Sequence, residues 1–265
     1  MRASNNEPQV KLFSLVNKMS LVHKTKGIVL RSVKYGETSL VVTIFTELFG
    51  VQSYLVNGVR QVSKKGSAKA NHFQPVSILD LVVYKNDFKG LQRIKEFRWG
   101  RLYQHIFSDI WKNAVALFMI ELLNKALKEP ENNPDLFYFT EDALLHLDEA
   151  SPMVAANLPL FFALHLAVFF GFRINDEYSE EKHYVDLEEG NFVEQQPVHP
   201  NFLEGKEAEV VSHILKVLQP QDLAELHLNG DFRRRLLHWL EVYYALHIPD
   251  FGTMKTLPVL REIAS

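Results

Sequence analysis

The sequence predicts an α+β protein, an N-terminal five-stranded β-barrel followed by an α-helical domain. Three observations carry this prediction. Up to about Gly100, short β-branched runs alternate with turn residues, the mark of a small all-β unit. Beyond Arg101, apolar residues recur every three to four positions, the mark of amphipathic helices. The charge changes sign at the same place. Residues 20–100 carry 13 Lys+Arg against 5 Asp+Glu, a net of +8, whereas residues 101–265 carry 13 against 26, a net of −13. The formal net charge of −3 hides that division. Halves of opposite sign suggest two domains with different partners, the basic one suited to phosphate backbones.

Composition narrows the class further. With 47% hydrophobic residues, the 265-residue chain can bury a proper core and is not generally disordered. It has no cysteine, which excludes disulfides, thiolate zinc sites and cysteine nucleophiles. The densest apolar run, residues 158–170, holds 13 residues including His165, so no membrane partner is expected.

Each element has its own signal. Residues 1–18 are polar and aperiodic and are expected to form a mobile extension, leaving 19–100 as the barrel. Strands are expected at 25–33 (TKGIVLRSV) and 39–46 (SLVVTIFT), with a Tyr35-Gly36-Glu37 turn between them. Further strands are expected at 51–56, at 77–84 (SILDLVVY), with Leu79, Leu81 and Val83 on one face, and at 91–99. The stretch 57–74 (NGVRQVSKKGSAKANHFQ) reads as a long basic loop between the third and fourth strands. Five strands with such an insertion suit an oligonucleotide-binding (OB) barrel.

In the helical domain, 101–265, a first helix is expected to run to about Lys128. Asn133-Pro134 opens a second that ends near Glu149, and Ser151-Pro152 opens a third that ends at Gly171. The third is apolar nearly all round and should be central. Residues 173–204, with eight acids between Asp176 and Glu194, read as an irregular excursion or small hairpin. Helices resume at about 206–218 and 231–247.

Catalytic motifs are missing. The chain contains no G-x-x-x-x-G-K-[ST], G-x-G-x-x-G, G-x-S-x-G or H-E-x-x-H, and no cofactor is expected. His183 and His199 flank acids without ligand-pair spacing, and His165 reads as a core histidine. The expectation is a protein that is not an enzyme.

Binding chemistry is plentiful. Arg60, Lys64, Lys65 and Lys69 are separated by small residues in the basic loop, which can then follow a phosphate backbone. Strict alternation along the last strand places Leu91, Arg93, Lys95, Phe97 and Trp99 on one face, mixing cations with flat rings. Lys24, Lys26, Arg31 and Lys34 extend this patch from the first strand. Tyr35, Phe97 and Trp99 are candidates for base stacking, as are Tyr54 and Phe73, against the alternative that these rings are core. Arg233, Arg234 and Arg235 begin the last long helix, where cations oppose the helix dipole. They suit an acidic peptide or nucleic acid, unless they pair with acids of their own half.

Residues 24–50, KTKGIVLRSVKYGETSLVVTIFTELFG, resemble the opening of the bacterial recombination mediator family RecO, through the K-T-x-G-I-V-L-R strand and the Y-G-E turn. The likeness continues through the basic loop, Phe73-Gln74-Pro75 and LDLVVY, and more loosely to Phe170-Gly171-Phe172. It implies an OB barrel with a helical domain, a cytoplasmic protein, binding of single- and double-stranded DNA, and annealing of complementary strands. It also implies assistance to RecA loading with RecR on DNA coated by the single-strand-binding protein SSB, whose acidic tail family members engage. Many relatives carry a four-cysteine zinc module where this chain has the cysteine-free segment 173–204. An RNA-binding or ribosome-associated barrel is the other reading left open.

Overall fold

The computed structural model describes residues 21–61, 69–86, 88–128 and 131–263. The expected extension 1–18 and the loop residues Lys64 and Lys65 lie outside them. The chain divides into two compact units, the first up to Leu102 together with a short segment before Pro134, the second made of the rest from Tyr103 onward.

The first unit is a closed five-stranded barrel of order β1-β2-β3-β5-β4. Its strands are β1 (Leu21–Tyr35), β2 (Ser39–Thr46), β3 (Gly50–Val56), β4 (Ile78–Lys85) and β5 (Leu91–Trp99). All five expected strands are present. β1 is longer than its β-branched run because it pairs twice. Its first half, Leu21–Ile28, runs antiparallel to β4, and its second half, from Gly27, runs antiparallel to β2. Closure is completed where β3 and β5 pair in parallel, Ser53 with Leu91 and Leu55 with Arg93.

Inward residues follow the period-two rule. Val29, Val42, Ile44, Leu79, Leu81 and Val83 fill the interior around the fully buried Tyr54 and Phe73. Gly27 is needed where β1 passes between its two partners. A Cβ there would stand 2.5 Å from Ile44 Cγ2 and 2.9 Å from Leu81 Cδ1.

Alternation breaks twice, at β-bulges. In the β1–β2 pairing the register jumps from Val29↔Ile44 to Arg31↔Thr43, leaving Leu30 as the extra residue. In β4–β5 it jumps from Val82↔Glu96 to Val83↔Ile94, leaving Lys95 unpaired. Each bulge changes which side chains share a face.

The second unit is mainly helical: α1 (Ile110–Ala126), α2 (Pro134–Glu149), α3 (Pro152–Leu166), α4 (Gly205–Lys216), α5 (Gly230–His247) and α6 (Thr256–Ile263). Asp109 caps α1 by accepting from Lys112 N–H at 3.0 Å, and Ser151 caps α3. α3 continues through a 3-10 turn to Gly171, which takes the left-handed conformation at φ 81°. Together they form a continuous run of 19 residues, long and apolar enough to cross a membrane, so the length argument drawn from the apolar run does not hold. Its packing identifies it instead. α1, α2, α4 and α5 surround it, and Val154, Leu158, Leu160, Phe162 and Leu166 are buried. Within it His165 Nε2 lies 3.3 Å from the Ile214 carbonyl, as expected of a core histidine.

The acidic segment is more regular than its composition suggests. It forms a three-stranded antiparallel sheet, β7-β6-β8, from β6 (Tyr184–Asp186), β7 (Asn191–Val193) and β8 (Phe202–Leu203). The hairpin reading covers only its first two strands.

One carboxylate organises the start of the helical unit. Asp148, 5% exposed at the end of α2, accepts from the backbone N–H groups of Gln104, His105 and Ile106 at 2.7, 2.8 and 2.8 Å. Burial pushes its pKa up, but the three N–H groups outweigh burial and hold it below the ordinary value. A depressed carboxyl stabilises the fold above the unfolded pKa and loses that contribution as pH falls through the folded value. Asp148→Asn should therefore cost about 1.5–3 kcal/mol near neutrality and flatten the acid limb of a stability-versus-pH curve from denaturant unfolding. In the barrel, Gly27→Ala should cost about 1–3 kcal/mol by the same measurement, because neither Ile44 nor Leu81 has free volume to move into.

Candidate nucleic-acid interface

The registers place side chains on the outer face of β1, β2, β3 and β5. Opposed residues in adjacent strands share a face, so two rows cross the sheet. One is Arg31–Thr43–Ser53–Leu91 and the other is Val33–Val41–Leu55–Arg93. The β2–β3 centre of this face is uncharged, with small hydroxyl and aliphatic groups. Its edges are cationic, with exposed Arg31 on β1 and exposed Arg93 on β5.

The β1 edge continues to Tyr35, 57% exposed at the β1–β2 turn, whereas Lys34, also exposed, stands opposite the buried Leu40 on the inward parity of β1. Arg60, from the segment after β3, is tied to that turn. Its Nη1 donates to the Gly36 carbonyl and its backbone N–H to the Thr38 carbonyl, both at 3.0 Å. This brings the start of the basic loop beside the β1–β2 turn. Lys69 is exposed at the other end of the loop, where the 3-10 turn Lys69–Phe73 begins.

Lys24 and Lys26 fall elsewhere. They precede the Leu30 bulge and face outward beside β4, in the rows Lys24–Val82–Glu96 and Lys26–Asp80–Arg98. These rows line an open groove of about 500 Å³ with Glu47, Asp80 and Glu96 among its walls. Asp80 accepts from Arg98 Nη2 at 2.9 Å and Nε at 3.0 Å. The groove is of mixed charge, and the four first-strand cations do not make one patch. The bulge is the reason, since it reverses which parity of β1 faces outward.

The second bulge corrects the reading of β5. Arg93 faces outward, but past the unpaired Lys95 the alternation shifts, so Phe97 and Trp99 turn toward the core. Phe97 meets Phe73 edge-on at 4.7 Å, and Trp99 stacks on His72 at 4.4 Å. Arg93, Lys95, Phe97 and Trp99 therefore share no face, and the two rings close the barrel instead of presenting themselves to bases. Tyr54 and Phe73 are likewise core, and burial raises the Tyr54 hydroxyl pKa well above its ordinary value. Lys95 is exposed, 3.8 Å from Glu96.

One feature of this face is absent from the sequence reading. The β4–β5 hairpin tip carries Phe88, 78% exposed, and the exposed Lys89. Asn86 and Gly90 give only a turn signal, so an aromatic ring between them passes for an incidental loop residue.

In the helical unit the three arginines part company. Arg233 turns inward, donating through Nη1 to the Leu228 carbonyl and, at 3.4 Å, to the Oδ1 of the fully buried Asn157. Burial lowers its pKa. Arg234 pairs with Asp231 and Arg235 with Glu207 at 3.3 Å, so pairing within this half accounts for both contacts. The run is not one exposed cluster. Arg233, Arg234 and Arg261 border a narrow apolar crevice lined by Trp111, Pro159, Leu257 and Leu260.

The zinc-module position does not fit a metal. It has no cysteine, and the described residues contain no group of three or more His, Cys, Asp or Glu placed to hold an ion. There His199 Nε2 lies 3.2 Å from Asp186 Oδ2 and its Nδ1 3.5 Å from Glu188 Oε1, while Asn201 donates to Glu188 at 2.8 Å. Asp186 Oδ1 also accepts from Glu188 N–H at 2.8 Å, which closes the β6–β7 turn.

A closed five-stranded barrel with a cation-edged outer face, joined in sequence to a helical unit, defines an OB-fold protein of two-unit type. Family models identify which. Recombination protein O N terminal matches residues 19–103 and Recombination protein O C terminal matches 107–256, so the chain belongs to the RecO family. It is 32% identical over 245 residues to the DNA repair protein RecO of Phocaeicola vulgatus, covering 92% of this chain and 100% of that one. The DNA repair protein RecO of Bacteroides fragilis is 32% identical over 244 residues, covering 92% and 99% of the two chains. That of Flavobacterium johnsoniae is 34% identical over 245 residues, covering 91% and 99%.

The different surroundings of Arg233 and Arg234 give a direct test. Arg233→Ala should cost about 1–3 kcal/mol, because it strips a buried amide and a carbonyl of their donor. Arg234→Ala should cost under about 0.5 kcal/mol, as an exposed pair does. Thermal or denaturant unfolding of the two variants decides between these assignments; equal costs would contradict them.

Proposed function

We propose that this chain is a DNA-binding recombination mediator acting in DNA repair. Family membership supports the general role, and one observation of the barrel carries the binding reading. The β1-β2-β3-β5 face has an uncharged centre between cationic edges formed by Arg31 and Arg60 on one side and Arg93 on the other. Cations at the edges neutralise phosphates, while the aliphatic and hydroxyl centre can take base faces without fixing a sequence. Lys64, Lys65 and Lys69 are proposed to continue the backbone track through the loop.

Annealing follows without bond chemistry. Two strands repel through their phosphates; a +8 barrel screens that repulsion, and bases held by stacking alone stay free to pair. The chain is proposed to be no enzyme and to work in the cytoplasm, with RecR, SSB and indirectly RecA as its protein partners. The net −13 half is a poor surface for DNA and a better one for proteins. Within it Arg234 and Arg261, at the edge of that apolar crevice, are proposed to take the acidic tail of SSB, beside Arg233, which lines the crevice as well.

A salt series of fluorescence anisotropy on labelled single-stranded DNA, duplex DNA and RNA tests the reading, together with a strand-annealing assay. Single-stranded DNA affinity should fall steeply with salt. Arg31→Ala and Arg93→Ala should each reduce the slope of log K against log salt by about 0.7, one phosphate contact apiece. Lys24→Ala should change it less, since its groove carries acids. Tighter binding to RNA, with no annealing of DNA, would favour an RNA-binding module instead.

A further inference from the structure

The β4–β5 hairpin tip combines two properties that rarely coincide in a surface loop, a bare aromatic ring and a rigid mount. Phe88 is 78% exposed, more than any other described aromatic residue named among the exposed apolar side chains. Burial drives large rings inward, so a ring kept in water is a feature to be accounted for.

The mount is Gln92. This residue points into the barrel on the second position of β5 and is only 4% exposed. Its Oε1 accepts from Asn86 N–H at 3.0 Å, and its Nε2 donates to the carbonyls of Asn86 at 2.8 Å and Lys89 at 2.5 Å. Asn86 Oδ1 in turn accepts from Phe88 N–H at 3.0 Å, and Lys89 N–H donates to the Asn86 carbonyl at 3.1 Å. A buried amide thus holds both sides of the tip from below, and Phe88 is presented at low conformational cost.

Position gives the ring a use. β5 begins beside Ser53 and carries Arg93 at the edge of the binding face, and Phe88 stands just before that strand. Tyr35 occupies the opposite, β1, edge. Exposed Lys89 adjoins Phe88, and exposed Arg31 shares the outward face of β1 with Tyr35. Each edge therefore pairs one ring with one cation, the combination that stacks a base and neutralises its phosphate.

We propose that Phe88, held by Gln92, is a base-stacking residue that makes the face selective for unpaired DNA. Bases inside a duplex already stack on their neighbours and offer no face to a ring, whereas each base of a single strand does. The inference rests on the DNA-binding reading and adds to it the form of DNA preferred and the residue that sets the preference. Gln92 is a positioning residue in this scheme.

The experiment is equilibrium anisotropy with the full chain on a labelled mixed-sequence single strand and on a blunt duplex of equal length. Phe88→Ala should weaken single-strand binding by about five- to a hundredfold. It should change duplex binding by less than about twofold and leave the salt slope unaltered, since no phosphate contact is lost. Phe88→Trp should restore single-strand affinity. With its ring in water, Phe88 can be replaced without disturbing the fold, so a loss of binding reports on contact. Equal affinity of Phe88→Ala and the unaltered chain for the single strand would overturn the proposal, as would an equal loss on strand and duplex. Failure of the unaltered chain to bind any DNA would overturn the interface itself, a result distinct from either.

Discussion

The barrel depends on one strand serving two neighbours. β1 pairs with β4 through its first half and with β2 through its second, and only around Gly27 and Ile28 does it meet both. Closing five strands forces strong curvature there, and the space inside is filled by Ile44 and Leu81 up to the glycine Cα. The bulge at Leu30 follows immediately. It lets β1 turn from one partner to the other while its apolar residues stay inside. Without that crossing the sheet would have open edges and no distinct inner and outer faces.

The functional surface is a consequence of the same crossing. Before the bulge, the outward lysines of β1 stand beside Asp80 and Glu96 in a groove of balanced charge. After it, Arg31 and Tyr35 face outward over β2 and β3, where no acid lies in the two rows. A second bulge at Lys95 divides β5 in the same way, leaving Arg93 outside and folding Phe97 and Trp99 onto His72 and Phe73. Two single-residue irregularities thus sort a cation-rich unit into a binding face, a mixed groove and a set of rings that seal the core.

In the helical unit, charge is used mainly within the unit. Asp148 gathers three backbone N–H groups. Glu121 accepts from the N–H groups of Lys255 and Thr256, both at 2.8 Å, where α6 begins. Arg233 supports a buried asparagine, and its two neighbours pair with Asp231 and Glu207. The cysteine-free segment 173–204 builds a small sheet in which His199 lies against Asp186 and Glu188. The acidic excess is therefore partly structural, and the remainder sets the sign of the unit's surface.

By itself the sequence determined the division into a basic β unit and an acidic helical unit. It also determined all five barrel strands, the first three helices with the Ser151 cap and the Gly171 end of the third, and the family, through the K-T-x-G-I-V-L-R and Y-G-E segments. Those properties are local: β-branching, three-to-four spacing, proline and glycine at ends, and charge counts are readable from a few neighbouring residues. Which side chains share a face was decided only by the tertiary structure. Period-two alternation gives a face only while register is unbroken, and the bulges at Leu30 and Lys95 are visible only in the partner strand. The same holds for Phe88 and Arg233. The ring is held out in water by a buried glutamine on the next strand, and the arginine is drawn inward by an asparagine 76 positions away in sequence, relations that exist only once the chain has folded.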